Sequence, residues 1–199
     1  MKALTLNGSD GPSSLALVDV DVPDPGPNEV RVKLKCAALN RRDVWMTVGQ
    51  YPGIQMPAIA GSDGSGTIDA VGAGISKDCL GCEVVIYPAL EWGDDPLCGG
   101  KDFRVLGMPD QGTFAEYICV PRSSIYPKPR HLSWAQAAAF PLAGLTAWRA
   151  VVTHGELKKG DRVLVTGIGG GAAGFALLWA KEKGADVIVT SSSQNKIDM

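Results

Sequence analysis

The stretch that decides the fold is Arg162–Gly174, which reads RVLVTGIGGGAAG. Its beginning, Arg162–Thr166, is an apolar run that predicts a strand, and this strand leads directly into a turn rich in glycine. A helical pattern follows at Phe175–Lys181, and Gly184 ends it before a second apolar run at Ala185–Thr190. The order strand, glycine turn, helix and strand is the context in which such a turn indicates a dinucleotide-binding unit.

The glycines of this turn have a physical role, because a backbone without Cβ atoms approaches a pyrophosphate closely and adopts positive φ. The amide groups at the start of the following helix then face the anion. The residues predicted to bind the cofactor here are Gly167, Gly169, Gly170, Gly171, Ala172 and Ala173. One of the two alanines stands where the usual fingerprint has its third glycine, a position that accepts alanine.

The end of the second strand bears on which dinucleotide is bound. A carboxylate at this point holds the ribose of NADH, whereas the sequence reads TSSSQNK over Thr190–Lys196. Asp186 lies the expected number of residues along the chain from the turn, about 20, but it precedes the predicted strand. Hydroxyl and ammonium groups accept a 2′-phosphate, so Ser191, Ser192 and Lys196 are predicted to bind NADPH in preference to NADH. The alternative is a polar loop that binds no ligand.

The first part of the chain has a different pattern, with short apolar runs between turns rich in glycine and proline. Glu29–Cys36 alternates polar and apolar residues, as a half-buried strand does. Many short strands of this kind predict a β-barrel-like domain. The pattern changes at Ser133, which with Gln136 makes a capping box at a helix start. We assign residues 1–125 to the β-rich domain, and residues 126–199 to linking helices and the start of an incomplete dinucleotide-binding domain.

Composition and charge exclude several classes of protein. The formal net charge of −2 predicts no general attraction to nucleic acid or to an anionic membrane. No apolar run reaches the roughly 18 residues of a membrane-spanning helix. The N-terminus is too polar for a signal peptide, so a cytoplasmic protein is expected. The 5 cysteines do not make a disulfide framework in a chain of 199 residues and are expected to be reduced.

Further motifs occur in a fixed order along the chain. They are LNRRDVW at Leu39–Trp45, GQYP at Gly49–Pro52, PAIAGSDGSG at Pro57–Gly66, AVG at Ala70–Gly72, GTFAEY at Gly112–Tyr117 and FPLAGLTA at Phe140–Ala147. With the glycine turn, they resemble the medium-chain dehydrogenases/reductases, and most of all the zinc-independent quinone oxidoreductase branch. The resemblance implies an α/β protein in which a GroES-like β-barrel catalytic domain precedes the first β-α-β unit of a truncated Rossmann fold. It also implies a homodimer for the full-length protein.

The resemblance also bears on metal binding, because zinc alcohol dehydrogenases of this superfamily hold their catalytic metal with a cysteine, a histidine and a cysteine. The matching positions here are Asn40, Ser62 and Leu142. A leucine cannot bind zinc, and amide and hydroxyl groups are poor zinc ligands beside thiolate and imidazole. The lobe of the structural zinc holds one cysteine, Cys98, so no metal is predicted. For Cys79 and Cys82, the alternatives are a three-thiol site with Cys98 or ordinary thiols.

Without zinc, the resemblance implies hydride transfer from NADPH to a small electron-poor substrate, a quinone or an α,β-unsaturated carbonyl compound. Conjugation spreads the developing charge, so such an acceptor needs less help from a Lewis acid. The residues expected to act in catalysis are Asn40, Tyr51 and Thr146. Asn40 and Tyr51 are expected to hydrogen-bond the substrate oxygen or the nicotinamide ribose, with Tyr51 also as a proton donor. Thr146 is expected to contact the nicotinamide and therefore also belongs to the cofactor site.

The two strands after Gly160 are fewer than a dinucleotide-binding fold needs, so the chain is expected to be a fragment. On this interpretation the chain alone is a poor enzyme that associates through an unpaired sheet edge and an uncovered apolar face. Two other functions stay open. One is a truncated, non-catalytic protein that binds a partner, and the other is a zinc alcohol dehydrogenase, which Leu142 disfavours.

Overall fold

The alternating apolar residues of the first part of the chain form sheets with a buried face. The computed structural model of the protein describes residues 1–198 and contains two units, residues 1–94 with 99–141, and residues 95–98 with the chain from 142 onward. The first unit contains the strands β1 (Lys2–Leu6), β2 (Leu15–Asp19), β3 (Glu29–Ala38), β4 (Ala58–Ile59), β5 (Asp63–Val71), β6 (Glu83–Ile86), β7 (Ala89–Leu90), β8 (Arg104–Val105), β9 (Tyr117–Pro121) and β10 (Ile125–Pro127). Its helices are α1 (Arg41–Thr47) and α2 (Trp134–Ala139), with 3-10 turns at Pro12–Ser14, Lys77–Cys79 and Arg122–Ser124.

A five-stranded antiparallel sheet with the order β10-β6-β5-β3-β9 carries the main core of this unit. Along β3 the fully buried Val30 and Val32 alternate with charged residues, as the sequence pattern predicts. The buried side chains of the core cluster are Val30, Val32, Ile68, Val84, Ile86, Leu90, Leu106, Ile118, Val120 and Ile125. Since one face of each long strand supplies this cluster, one face of the sheet is buried.

A three-stranded sheet, β2-β1-β4, joins the larger sheet through Glu116. The Glu116 N–H donates to the Lys2 carbonyl oxygen of β1 at 3.1 Å, and its own carbonyl oxygen accepts from Leu34 N–H of β3 at 2.9 Å. The predicted β-rich fold is confirmed, but the strands of this unit form two joined sheets and the separate pair β7-β8, and not a closed barrel. The reason is that β9 pairs with β3 only over Glu29–Lys33, so the ladder does not continue around the domain.

The two longest strands approach each other so closely that one position requires glycine. A Cβ atom at Gly66 of β5 would collide with the carbonyl oxygen of Lys33 in β3. The pairing of these strands shifts register between Leu34 and Cys36, immediately beside this contact. A bulge of this kind increases local twist, which lets the two strands bend around the core.

Helix α2 confirms the capping box that the sequence predicts. The Gln136 N–H donates to Ser133 Oγ at 3.3 Å, and the Ser133 N–H donates to Gln136 Oε1 at 3.0 Å. The Ser65 hydroxyl of β5 donates to the Trp134 carbonyl oxygen at 2.7 Å and fixes the helix to the sheet.

The second unit contains the predicted β-α-β arrangement. Its elements are α3 (Pro141–Trp148, of which the first residue is counted with the first unit), a π-helical segment (Arg149–His154), β11 (Arg162–Val165), α4 (Gly171–Glu182), β12 (Asp186–Val189) and α5 (Gln194–Ile197). β11 and β12 are parallel, and Leu164 pairs with Ile188 across them. These two side chains are 61% and 48% exposed, so one face of the strand pair presents apolar groups to solvent.

The helix before the glycine turn, α3, begins at Pro141, because proline is well tolerated in the first turn of a helix. From Arg149 the helix widens, and the Gly155 N–H reaches back to the Ala150 carbonyl oxygen at 3.0 Å. None of the helices within residues 1–198 combines the length and apolar character that a bilayer span requires.

A pair of tryptophans fixes α4 to α3. The rings of Trp148 and Trp179 meet edge to face with centroids 5.2 Å apart and an interplanar angle of 86°. Trp179 Nε1 donates to the Gly144 carbonyl oxygen at 3.0 Å, and Lys183 Nζ lies 5.0 Å from the centre of the Trp148 ring. The indole N–H is therefore satisfied inside an otherwise apolar contact.

Ile86→Ala is expected to lower the free energy of unfolding of the first unit by about 2–5 kcal/mol, because it leaves a cavity in a well-packed core. Ile86 is fully buried in the core cluster. The matched control is Leu17→Ala at a side chain that is 68% exposed, where a change below about 0.5 kcal/mol is expected. Urea unfolding measures both variants, and equal destabilisation would contradict the assigned core.

Candidate functional site

The first group of predicted site residues lies where β3 ends and α1 begins. Asn40 precedes α1 with an extended backbone, φ −123° and ψ 157°. Its N–H donates to Asp43 Oδ2 at 2.7 Å, and the Asp43 N–H donates to the Asn40 carbonyl oxygen at 3.0 Å. A carboxylate in the first turn thus fixes the main chain of Asn40 at the helix N-terminus.

The Asn40 side chain contacts two residues that are fully buried, Ser62 and Asp63. Asn40 Nδ2 donates to Asp63 Oδ2 at 2.8 Å and to Ser62 Oγ at 3.2 Å. Charge determines this orientation of the amide, because a flipped amide would place Oδ1 against the carboxylate. The Thr113 hydroxyl donates to the Asp63 carbonyl oxygen at 2.8 Å. The amide is therefore immobilised, with its NH2 group committed to protein acceptors.

Tyr51 follows α1 and contacts Arg42 within it. Arg42 Nε donates to the Tyr51 hydroxyl oxygen at 3.2 Å, and the guanidinium carbon lies 4.7 Å from the centre of the tyrosine ring. Arg42 Nη1 donates to the Leu106 carbonyl oxygen at 2.6 Å. Because the hydroxyl oxygen accepts from arginine, its hydrogen points elsewhere. The local sequence pattern does not predict this contact of Arg42, because it does not show which side chain a loop residue such as Tyr51 will meet.

Asp43 is almost fully buried beside these groups. Burial raises the pKa of its carboxyl group, while the hydrogen bond from the Asn40 N–H and the charge of Arg42 act in the opposite direction. Among the side chains of residues 1–198, two buried polar atoms have no hydrogen-bond partner, Asp43 Oδ1 and Arg42 Nη2. Buried polar groups without partners are uncommon, and these two lie on adjacent residues between Asn40 and Tyr51.

The donor atoms at the positions that match zinc ligands do not suit a zinc ion. The Asn40 amide nitrogen donates hydrogen bonds to Ser62 and Asp63, and it has no lone pair to give to a metal. The third position is Leu142, an apolar residue of the second unit. Within residues 1–198, no three or more His, Cys, Asp and Glu side chains are grouped so that they could hold a metal ion.

The glycine turn in the second unit joins β11 to α4. Gly167 and Gly169 have positive φ angles of 67° and 110°, which residues with a Cβ atom rarely adopt. Gly170 precedes α4 with an extended backbone and has no side chain to occupy the helix N-terminus. The Ile168 N–H donates to the Thr190 carbonyl oxygen at 3.0 Å and holds the turn against the end of β12. The first amides of a helix of 12 residues are thus presented at this turn.

Lys196 lies over this turn. A Cβ atom at Gly169 would come within 2.8 Å of Lys196 Cδ, so the lysine stem covers the glycine. The Ser193 N–H donates to Ser191 Oγ at 3.1 Å, and the Lys196 N–H donates to the Ser193 carbonyl oxygen at 3.1 Å. Ser191 is half-buried, whereas Ser192 is exposed. The predicted phosphate-binding residues therefore lie on one short segment that returns to the turn.

Thr146 is exposed on α3, close to the start of α4. A Cβ atom at Gly171, the first residue of α4, would lie 3.3 Å from Ala143 Cβ, and Ala143 precedes Thr146 by one helical turn. Ala172 is exposed and Ala173 half-buried at the same helix start. The predicted residues thus form two groups, one around α1 in the first unit and one around the glycine turn in the second.

Asp43→Asn tests the consequence of burying this carboxyl group. A raised pKa means that the folded protein holds the proton more tightly than the unfolded chain, so ionisation lowers stability above that pKa. The variant is expected to be more stable than the wild type at neutral pH, and the difference should vanish as the pH falls through the raised pKa. Urea unfolding at a series of pH values measures this, with Asp10→Asn at an exposed carboxyl group as control. A difference that grows on acidification would refute the assignment.

Comparison with known proteins identifies relatives of the chain. The family model described as the alcohol dehydrogenase GroES-like domain matches residues 26–130. A zinc-type alcohol dehydrogenase-like protein of Leptosphaeria maculans is 41% identical over 194 residues, which cover 92% of this chain and 54% of the relative. A crotonyl-CoA carboxylase/reductase of Cereibacter sphaeroides is 34% identical, covering 90% of this chain and 45% of the relative. A quinone oxidoreductase of Pseudomonas aeruginosa is 31% identical, covering 94% of this chain and 51% of the relative.

The chain spans about half the length of the curated relatives it matches. A solved structure described as an NAD-dependent alcohol dehydrogenase superimposes with a TM-score of 0.93 at 42% identity, covering 100% of this chain and 60% of that chain. The family model covers more than half of the chain, and the superposition extends through the glycine turn. The chain therefore belongs to the alcohol dehydrogenase GroES-like family, within the medium-chain dehydrogenase/reductase superfamily.

Proposed function

We propose that this chain is the N-terminal part of an NADPH-dependent oxidoreductase that reduces a quinone or an α,β-unsaturated carbonyl compound without zinc. One observation carries the proposal. The Asn40 amide is fixed by Asp63 and Ser62 at the position that matches a zinc ligand of the zinc-dependent enzymes. An amide held in this way can accept a hydrogen bond at Oδ1 from a ribose or substrate hydroxyl and so orient it. This role needs no metal ion.

Tyr51 is the group that we assign to proton donation. When bound, the dinucleotide supplies a hydride, and the acceptor then needs a proton on the oxygen that gains negative charge. Arg42 Nε donates to the Tyr51 hydroxyl oxygen at 3.2 Å, which fixes the position of the phenol and leaves its hydrogen directed away from the arginine. Arg42 therefore acts as a positioning residue for Tyr51 in this proposal.

The surface around α1 supports an apolar, conjugated acceptor. Leu39 is 82% exposed, and Val44 and Trp45 on α1 are also exposed. Exposed apolar side chains that adjoin hydrogen-bonding groups are typical of a site for a small organic molecule. The names of two relatives, a quinone oxidoreductase and a crotonyl-CoA carboxylase/reductase, refer to conjugated carbonyl compounds.

The second unit supports the preference for NADPH. The glycine turn and the start of α4 offer amide groups to a pyrophosphate. Lys196 and the hydroxyls of Ser191 and Ser192 follow β12, where a carboxylate would otherwise hold the ribose of NADH. We assign the 2′-phosphate of NADPH to these three residues, and we assign Thr146 to the nicotinamide side of the cofactor.

A second candidate function is that of an NAD-dependent alcohol dehydrogenase. The description of a solved structure with a TM-score of 0.93 and the name of the zinc-type relative both favour it. An isolated ketone or aldehyde needs stronger polarisation than a quinone does, and zinc supplies this in such enzymes. The two candidates therefore differ in their need for a metal.

Removal of metal from the full-length enzyme separates the two functions. After treatment with a chelator, oxidation of NADPH with a quinone is expected to continue at the rate of the untreated enzyme, since the site residues use hydrogen bonds. Elemental analysis measures the metal, and the absorbance of NADPH measures the rate. Loss of activity that added zinc restores would reject the proposal in favour of an alcohol dehydrogenase.

Lys196→Glu in the full-length enzyme tests the cofactor assignment. The variant is expected to bind NADPH at least about tenfold more weakly, which corresponds to about 1.4 kcal/mol, while the affinity for NADH changes less. Lys158→Glu is the matched control, because Lys158 is exposed in the loop before β11, at the opposite end of that strand from the glycine turn. Fluorescence titration with both dinucleotides measures the affinities. An equal loss for NADPH and NADH would show that Lys196 does not read the 2′-phosphate.

A further inference from the structure

The segment Cys79–Cys82 forms a type II β-turn in the first unit. Leu80 has φ −61° and ψ 134°, Gly81 has a φ of 79°, and the Cys82 N–H donates to the Cys79 carbonyl oxygen at 3.1 Å. The first and last Cα atoms of a β-turn are less than about 7 Å apart. Disulfides join cysteines whose Cα atoms are about 4.4–6.8 Å apart. The turn therefore holds the two cysteines at a separation that a disulfide can bridge.

The turn is fixed to the sheet, and its two thiols differ in access. The Gly81 N–H donates to the Ile68 carbonyl oxygen of β5 at 2.8 Å, and the Ile68 N–H donates to the Cys82 carbonyl oxygen at 3.1 Å. Cys82 is exposed. Cys79 is partly buried against the core cluster, and its Sγ donates to the Ser76 carbonyl oxygen at 3.0 Å. An outside disulfide thus meets Cys82 first, and Cys79 stands behind it as a second thiol.

A groove of about 400 Å³ opens beside this pair and carries net positive charge. The charged residues that line it are Arg122, Lys128, Arg130 and Glu83. Lys128 Nζ lies 3.4 Å from a Glu83 carboxylate oxygen, so these two charges compensate each other. Asp78 lines a neighbouring depression that Arg122 and both cysteines share. The two arginines leave the groove suited to a small molecule with carboxylate groups.

We propose that Cys79 and Cys82 form a thiol–disulfide exchange site for a small disulfide that carries carboxylates. The Cys82 thiolate attacks one sulfur of that disulfide, and a bond forms between this sulfur and Cys82 Sγ while the S–S bond of the small molecule breaks. The other half leaves as a thiolate and takes up one proton, which balances the proton that the Cys82 thiol released when it became a thiolate. The Cys79 thiolate then attacks Cys82 Sγ and releases the second half, which is protonated in the same way.

The two steps balance. The protein dithiol loses two electrons and two protons and becomes a disulfide, and the small disulfide gains them and becomes two thiols. The turn favours the second step, because it keeps the main chains of both cysteines within the span of a disulfide. None of the residues assigned to the proposed oxidoreductase function takes part, so this inference stands without that function.

The structure favours a dithiol over the three-thiol metal site that the sequence left open. Cys98, the third thiol of that alternative, donates from its Sγ to Asp95 Oδ2 at 3.2 Å, and no three or more His, Cys, Asp and Glu side chains within residues 1–198 are grouped to hold a metal ion. Cys119 is a weak competitor for oxidants, since burial raises the pKa of its thiol to about 11. The pair in the turn is therefore the dithiol to which we assign this chemistry.

Oxidised glutathione is the probe, and the 199-residue chain is the protein. Every protein carries Cys98→Ser, because Cys98 is the other exposed thiol. The reduced chain is exposed to the probe, alkylated, and examined by intact mass and peptide mapping. The parent is expected to gain a Cys79–Cys82 link without a lasting adduct. Cys79→Ser should retain one glutathione on Cys82, and Cys82→Ser should form neither product at comparable times. A lasting adduct on the parent, or no reaction at the turn, would overturn the proposal.

A charge variant tests the class of ligand. Arg122→Gln with Arg130→Gln is expected to slow the reaction with oxidised glutathione about tenfold, and to leave the rate with the neutral 2-hydroxyethyl disulfide unchanged. Circular dichroism confirms that the variant is folded. Equal rates of the parent and the variant with glutathione, or equal slowing with both disulfides, would reject the assignment of a carboxylate-bearing partner.

Discussion

A carboxylate that has lost contact with water must be hydrogen-bonded, and this requirement at Asp63 organises the first unit. An unpaired buried charge costs several kcal/mol, whereas Asp63 receives a hydrogen bond from Asn40 Nδ2 at 2.8 Å. Thr113 holds the main chain of the same residue through its carbonyl oxygen. The start of β5, the N-terminus of α1 and the segment before β9 therefore assemble around one residue. The hydrogen bonds that the buried Asp63 requires for folding therefore also hold the candidate site rigid.

The two units arrange polar groups in opposite ways. In the first unit, the side chains of Asn40 and Tyr51 are each held by a neighbour that supplies or accepts a hydrogen bond. In the second unit, side chains are removed, and positive φ at Gly167 and Gly169 exposes main-chain amides instead. Hydrogen bonds to neighbours orient individual side chains in the first unit. Exposed main-chain amides in the second unit form a concave surface of the kind that binds anions. The hydrogen bonds around Asn40 and Tyr51 are the reason that we propose an acceptor whose own conjugation disperses charge.

The sequence predicted features that depend on neighbours along the chain and failed where the determining contact is distant. Alternation along Glu29–Cys36 identified β3, and the glycine pattern located the turn before α4, because both signals are local. The Arg42–Tyr51 contact and the opening between the two sheets depend on tertiary packing. The domain boundary near residue 125 and the roles of Thr146 and Lys196 stay predictions.

The edge-to-face pair of Trp148 and Trp179 has an optical consequence. Two indoles with centroids 5.2 Å apart and planes 86° from each other couple their electronic transitions in a fixed chiral arrangement. Such a pair gives circular dichroism bands that vanish when either ring becomes free to rotate. Both rings belong to the second unit, and one is held by a hydrogen bond to Gly144. The chain thus contains an intrinsic chromophore that distinguishes loosening of the second unit from loosening of the sheets of the first unit.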